Sequence, residues 1–157
     1  MKEILKLKIL KIDNDGFHLA VSTKINGKKA NMVVDTGASR TVFDQERIKK
    51  FLKEEEVQQM DKLSTGLGTN SMKSQMVTLN NFSLGKIEFE NYHSVLLDLS
   101  HVIHSYEQIG LAPVEGVIGS DVLLNCNAII DYSKKTLVLT SIAKKKKSKR
   151  NISKKKK

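Results

Sequence analysis

The dipeptide Asn26-Gly27 constrains the fold of this chain more than any other short segment. Both residues tolerate the positive φ angles of a tight two-residue turn, and strand-like runs flank them on either side, at Phe17 to Ile25 and Lys28 to Val34. The pattern predicts a β-hairpin whose turn fixes the register of its two strands. The second strand therefore ends at a defined place, immediately before Asp35.

Asp35 is an acid at the end of an apolar strand. Residues 32–34, Met-Val-Val, are typical of a buried strand. A carboxylate at the end of such a strand loses water and needs hydrogen-bond donors or a second titratable group beside it. Gly37 allows a tight turn behind the acid and Thr36 adds a hydroxyl, so Asp35 is the first candidate for chemistry.

Two further segments downstream of Asp35 complete a pattern that is typical of a known family. Residues 116–123 read Gly-Val-Ile-Gly-Ser-Asp-Val-Leu, and residues 128–132 and 137–139 predict a closing hairpin. Together with Asn31 to Phe43, they resemble the retropepsin-like aspartic peptidases, whose active-site loop reads apolar-apolar-Asp-Thr-Gly-Ala. The resemblance covers roughly residues 17 to 140. It implies a mainly β fold, a single retropepsin-like closed β-barrel domain with a flap hairpin and two or three short helices.

The resemblance also implies roles for individual residues, with Asp35 as the catalytic carboxylate. The active-site loop would be formed by Thr36, Gly37 and Ala38. The flap that covers the substrate would be formed by Gly66, Leu67, Gly68 and Thr69. The residues that support the loop would be Arg40, Ile118, Gly119 and Asp121. Ser39-Arg40 stands where the viral enzymes carry acids, and Ser120-Asp121 stands where they carry an arginine. We therefore hypothesise an Arg40–Asp121 salt bridge with its signs exchanged.

Peptide hydrolysis by water requires one group that takes a proton and another that gives one. The chain has one Asp-Thr-Gly, and Asp121 and Asp131 lack that context, so a two-fold homodimer is the economical source of a second carboxylate. Two carboxyl groups at short range share one proton. The sequence thus predicts an aspartic endopeptidase that acts on peptide or protein substrates as a homodimer.

Two other interpretations of Asp35 remain open. In the first, the fold is kept as a non-catalytic dimerisation or peptide-binding module, with a polyanion-binding basic tail. In the second, Asp35 caps a turn in a barrel, and Thr36 and Gly37 serve local geometry alone.

The net charge of +10 belongs to one end of the chain. Residues 144–157 hold ten basic residues and no acid, so the 17 basic and 17 acidic residues before them balance. We expect one domain over residues 1–143 and a disordered lysine-rich tail over residues 144–157. The tail could make weak nonspecific contacts with nucleic acid.

Composition argues against several other classes of protein. No stretch is apolar enough to span a bilayer, and a single cysteine, Cys126, fits a reducing compartment, so we expect a cytoplasmic protein without membrane contact. His101 and His104 stand three residues apart near Asp98, but further ligands are missing from the segment. We expect no metal and no cofactor.

The remaining elements are predicted from local patterns. Asp44 is expected to cap a short helix through Leu52, and Ser100 to cap a helix from His101 to Ile109. Glycine and asparagine interruptions predict four short strands at residues 76–79, 82–84, 87–89 and 95–97.

Overall fold

The computed structural model describes residues 1–66 and 75–141 of the 157-residue chain, with the backbone alone for residues 61–66. The strands of this part are β1 (Lys2–Lys11), β2 (Phe17–Ile25), β3 (Lys28–Val34), β4 (Val42–Asp44), β5 (Gln75–Leu84), β6 (Ile87–Leu97), β7 (Gly116–Ile118), β8 (Ile129–Asp131) and β9 (Thr136–Thr140). Its helices are α1 (Glu54–Gly66), α2 (Ser100–Gln108) and α3 (Ser120–Asn125), with a 3₁₀ helix at Arg47–Phe51. None of these helices is long and apolar enough to cross a membrane.

Six of these strands form a closed barrel. The order β3-β7-β4-β6-β5-β2 returns to its start because β2 also pairs with β3. β7 lies between β3, with which it is parallel, and β4, with which it is antiparallel. The predicted mainly β fold with a closed barrel and short helices is confirmed. β1 extends the sheet beyond β2 to β9 and β8.

The Asn26-Gly27 hairpin forms as predicted. Asn26 has a φ of 48° and Gly27 a φ of 80°, and β2 and β3 have the bounds expected from the sequence. Pairing runs from Ile25 opposite Lys28 to Leu19 opposite Val34. This register brings the end of β3 to the rim of the barrel, where Asp35 follows.

The four short strands predicted between residues 76 and 97 are wrong, because they are two long antiparallel strands, β5 and β6. The asparagines do not interrupt them. Asn81 donates its N–H to the side-chain oxygen of Asn26 at 3.0 Å, and the Asn26 N–H donates to the Asn81 carbonyl at 2.8 Å. Asn91 adopts a φ of 48° inside β6 while the pairing keeps one register on both sides of it.

The helix caps agree with the sequence at one position and disagree at another. The Asp44 Oδ2 accepts the N–H groups of Glu46 and Arg47 at 3.1 and 2.9 Å, as expected of a capping acid. Ser100 does not cap α2, since it is the first residue of that helix and donates its own N–H to the Asp98 Oδ1 at 2.9 Å.

The core fills the barrel around Phe82. Its ring stacks with Phe89 at 5.7 Å between centroids and meets the edge of Phe43 at 5.4 Å. A smaller apolar cluster, Val33, Tyr106 and Val114, lies under α2 on the outer side of β3. α2 is therefore packed beside the strand that ends at Asp35.

Candidate active site

Asp35 stands at the point where β3 meets the end of β7. Its N–H donates to the Ile118 carbonyl at 3.0 Å, which continues the parallel pairing of Val34 with Ile118. Its side chain is exposed, and the Oδ1 accepts the Gly37 N–H at 2.9 Å. The carboxylate is thus fixed by backbone on one side and open on the other.

The residues after Asp35 form a tight loop. The Ala38 N–H donates to the Asp35 carbonyl at 3.2 Å, and Thr36 and Gly37 are exposed at its tip. A Cβ on Gly37 would lie 3.2 Å from the Asp35 Oδ1, and the Gly37 φ is not positive. Glycine is therefore favoured here by the space needed beside the carboxylate. The tight turn that the sequence predicts behind Asp35 forms without a left-handed φ at Gly37.

The loop rests on the segment after β7. The Ala38 carbonyl accepts the Ser120 N–H at 2.7 Å. A Cβ on Gly119 would lie 2.5 Å from the carbonyl carbon of Arg40 and 2.6 Å from its oxygen. Any larger residue would push the two segments apart, so Gly119 sets the distance between the Asp35 loop and the start of α3.

Asp121 supports the loop through Thr41. Its Oδ1 accepts the Thr41 hydroxyl at 2.8 Å and the Thr41 N–H at 2.9 Å, and the same hydroxyl oxygen accepts the Gly119 N–H at 3.0 Å. Thr41 is 2% exposed. This chain of bonds, centred on the buried Thr41, ties together the two segments that the sequence singled out.

The hypothesised Arg40–Asp121 salt bridge is wrong, because no such ion pair forms among the described residues and Asp121 is used by Thr41 instead. Arg40 is exposed. Arg40 and Thr41 lie in the irregular segment before β4, where the Thr41 side chain is buried and Arg40 is exposed to solvent.

Sequence reasoning missed the residues that support Asp121 and Thr41. The Ser94 hydroxyl donates to the Thr41 carbonyl at 2.9 Å. Burial and the nearby Asp121 charge raise the pKa of Tyr92 to about 12, so its phenol stays protonated beside that carboxylate. Both residues come from β6, and no local motif marks them.

The predicted flap residues fall at the edge of what the structure describes. Gly66 is the last residue of α1, not part of a hairpin, because acids at residues 54–56 favour a helix start and Met60 is buried one turn later. Leu67, Gly68 and Thr69 lie outside the described residues.

Two recesses meet at Thr36. One is a cavity of about 350 Å³ that contains Asp35 on its wall together with residues of β2, β3, α2 and β8. The other is a shallow groove lined by Ser120, Leu123, Leu124, Asn127 and Ala128. The carboxylate therefore faces a space that can receive a ligand, and an apolar groove lies directly beside it.

The other acids considered as partners for Asp35 already accept hydrogen bonds from their own surroundings. The Asp131 Oδ1 accepts the Ser133 hydroxyl at 2.7 Å and the Lys134 N–H at 2.9 Å, and these bonds, the second foremost, lower its pKa. Asp121 is held by Thr41. Across residues 1–66 and 75–141, no group of three or more His, Cys, Asp or Glu side chains could hold a metal ion.

Comparisons with known proteins agree with this geometry. A family model described as aspartyl protease matches residues 21–122. A retropepsin-like aspartic protease from Rickettsia conorii superimposes with a TM-score of 0.51 at 22% identity, over 88% of this chain and 93% of that one. The retroviral protease-like domain of Ddi1 from Leishmania major gives a TM-score of 0.50 at 13% identity, over 78% of this chain and 86% of that one.

A search of curated proteins found no match. The two solved structures, at such low identity, establish the fold alone. The family model spans more than half of the chain and includes both the Asp35 loop and the Gly119 segment that supports it. The chain belongs to the aspartyl protease family.

Proposed function

We propose that this protein is an aspartic endopeptidase in which Asp35 and the same residue of a second copy activate water. The observation that carries the proposal is the exposed Asp35 carboxylate, fixed by the Gly37 N–H on the wall of a 350 Å³ cavity. A turn-capping aspartate alone would not need a loop that is supported by the buried Thr41, whose hydroxyl donates to Asp121 at 2.8 Å.

The second carboxylate has to come from a second copy. Asp121 and Asp131 each accept at least two hydrogen bonds from their own surroundings, so neither is free to pair with Asp35. A two-fold axis beside Asp35 would bring two identical loops together. The two copies of Asp35 then supply both carboxyl groups that the hydrolysis requires.

In that arrangement the two carboxyl groups share one proton, because two negative charges at short range repel each other. The ionised carboxylate takes a proton from water, and the protonated one donates a hydrogen bond to the carbonyl of the bond to be cleaved. The water oxygen bonds to the carbonyl carbon to form a tetrahedral intermediate. The C–N bond then breaks, and the carboxyl group that took the proton from water gives it to the leaving amine. Thr36, at the exposed tip of the loop, faces the partner's loop.

The apolar groove beside Thr36 supports a contact with the second copy at this face. Leu124 is 80% exposed on α3 and lines the groove, which is an unfavourable position for leucine in water. A two-fold interface places the same patch of both copies in contact. We assign Leu124 and this groove to the dimer contact.

Substrate would lie in the cavity in an extended conformation, and residues 67–69 would close over it as a flap, by resemblance to the family. We further propose a cytoplasmic protein, on the basis of its single, buried cysteine. A lysine-rich tail at residues 144–157 would add weak contacts with polyanions.

A peptide-library digest with wild type and Asp35→Asn tests the function. We expect cleavage by wild type, inhibition by a pepstatin-type transition-state mimic, and no cleavage by the variant. Mixing wild type with excess Asp35→Asn should also reduce activity, since each mixed dimer lacks one carboxyl group. Cleavage that survives in Asp35→Asn would exclude this mechanism.

The alternative, a non-catalytic peptide-binding or dimerisation module, gives a different result in the same experiment. Wild type and Asp35→Asn would then both dimerise and bind peptides, and neither would cleave them.

A further inference from the structure

A polar pair interrupts the wall of the cavity that contains Asp35. The Nδ1 of His18, on β2, lies 2.5 Å from the hydroxyl of Tyr106, on α2, and both side chains line the cavity. Tyr106 is 3% exposed, whereas His18 is exposed. The pair therefore reaches from the buried side of the cavity to its rim.

Most of the other residues that line the wall are apolar. Side chains from five elements and the loop after β8 contribute to it, namely Phe17, Leu19, Val33, Val34, Val102, Val117, Ile130 and Tyr132. A cavity of about 150 Å³ holds a benzene ring, so the 350 Å³ here is ample for an aromatic side chain. The walls suit an apolar body. Among the other polar side chains at the cavity, Asp35 and Thr36 belong to the active-site loop and Tyr132 is 69% exposed, so the His18–Tyr106 pair supplies the polar group on the buried side.

The pair does not use all of its hydrogen-bonding capacity. A phenol has one donor and two acceptor sites, and the bond to His18 uses one of them. Burial raises the pKa of Tyr106, which keeps its phenol neutral. An incoming hydroxyl can therefore bond to the Tyr106 oxygen whichever of the two partners donates in the existing bond.

We propose that the cavity accepts a tyrosine side chain of the substrate beside the bond to be cleaved, and that the His18–Tyr106 pair selects tyrosine over phenylalanine. The inference rests on the proposed peptidase function. Phenylalanine would fill the same space but would displace water from the Tyr106 hydroxyl without replacing its hydrogen bond. Because the pair keeps its mutual bond, the preference is that of one neutral hydrogen bond, about three- to tenfold.

Two matched peptides that differ only in Tyr or Phe at the position next to the cleaved bond test this inference. Wild type should cleave the Tyr peptide with a kcat/KM about three to ten times higher. Tyr106→Phe removes one oxygen and should bring the ratio to about 1. Tyr132→Phe is the matched control, because it removes the same atom from a tyrosine that is 69% exposed at the same cavity, and the preference should persist.

His18→Ala provides a second variant at an exposed position, and it should reduce the preference without unfolding the barrel. A wild-type ratio of 1 or less, or a ratio that survives in Tyr106→Phe, would overturn the inference.

If no peptide is cleaved, the peptidase proposal fails separately, and the selectivity is measured by binding. The same two peptides with a reduced, non-cleavable bond are titrated against wild type and Tyr106→Phe. Tighter binding of the Tyr peptide by wild type alone supports the cavity assignment. Equal binding of both peptides, or none of either, contradicts it.

Discussion

Arg47 and Glu115 form an ion pair at the edge of the barrel, with the Nη2 of Arg47 2.7 Å from the Oε1 of Glu115. Glu115 is buried, and its carboxylate also accepts Lys50 Nζ at 2.9 Å and the Asn31 N–H at 2.6 Å. Burial alone would raise the pKa of Glu115, but the bonds from Lys50, Asn31 and Arg47 outweigh it and hold the pKa below its ordinary value. The carboxylate joins the 3₁₀ helix to the approach of β7.

Glu115 should make the free energy of unfolding depend on pH in the acid range. Its folded-state pKa lies below the unfolded-state value of 4.5, so its contribution is complete above that pH and is lost as the pH falls through the folded-state pKa. Glu115→Gln should lower the free energy of unfolding at pH 7 by about 1–3 kcal/mol and flatten the acid limb of the stability profile. Urea unfolding between pH 7 and pH 3 measures both effects.

Glu46→Gln is the matched control for Glu115→Gln, because the Glu46 side chain is 71% exposed in its pair with Lys49. Its free energy of unfolding should stay within about 0.5 kcal/mol of wild type. Equal losses in the two variants would contradict the role given to the buried pair.

Thr41 and Asp121 should behave as one unit. Thr41→Val removes the hydroxyl that joins Asp121 to the Gly119 N–H, and it should cost about 1–3 kcal/mol of the free energy of unfolding. Combined with Asp121→Ala, the loss should be less than the sum of the two single losses, since both remove the same bond. Denaturant unfolding of the three variants measures this coupling.

Arg40→Ala is the comparison for that cycle, because Arg40 neighbours Thr41 but is exposed. Its effect should add to that of Asp121→Ala within about 0.5 kcal/mol. A strong Arg40–Asp121 coupling would instead restore the salt bridge that the structure lacks.

Leu124 should control the oligomeric state. Leu124→Arg would place a charge from each copy in the assigned apolar groove, so the variant should sediment as a monomer at concentrations where wild type is a dimer. Its melting temperature at high dilution should match that of wild-type monomer.

Ile109→Arg is the control for Leu124→Arg, because Ile109 is 48% exposed and lines neither of the two recesses. It should dimerise as wild type does. A Leu124→Arg protein that remains dimeric would place the interface elsewhere.

The lysine-rich tail should be dispensable for the fold and for hydrolysis. Residues 144–157 contain ten basic residues and one apolar residue, Ile152, which is too little to join a core. A protein that ends at Ala143 should keep the melting temperature and the kcat/KM of the full chain. The truncated protein should also lose any salt-sensitive binding to polyanions. A large drop in its melting temperature would show that the tail is part of the folded domain.

Local chemistry explains the parts of the fold that the sequence predicts well. Asn26 and Gly27 encode their turn within two residues, so the bounds of β2 and β3 follow. The prediction of four short strands failed because the backbone of Asn81 is satisfied by Asn26, which lies 55 residues away. Such a partner cannot be found from the neighbours of Asn81.

The candidate site also contains some residues that local motifs reveal and others whose roles depend on distant partners. Asp35 and Gly119 stand in recognisable segments, whereas the role of Thr41 depends on Asp121, 80 residues away. The His18–Tyr106 pair joins residues 88 apart, and neither residue has a marked local sequence. Arg40 was chosen for its charge, but the neighbouring Thr41 is the buried residue that bonds to Asp121.

The position of β7 between β3 and β4 affects the order in which the molecule can fold. The β2–β3 hairpin closes over a two-residue turn. The hydrogen bond from the Asp35 N–H to the Ile118 carbonyl instead requires that the much longer segment between these two residues has closed. A chain that has formed only its local contacts carries Asp35 on a hairpin whose loop has nothing to rest on. The geometry of the Asp35 loop thus depends on a long-range contact, and an incompletely folded or newly made chain does not yet hold the Asp35 carboxylate in its final position.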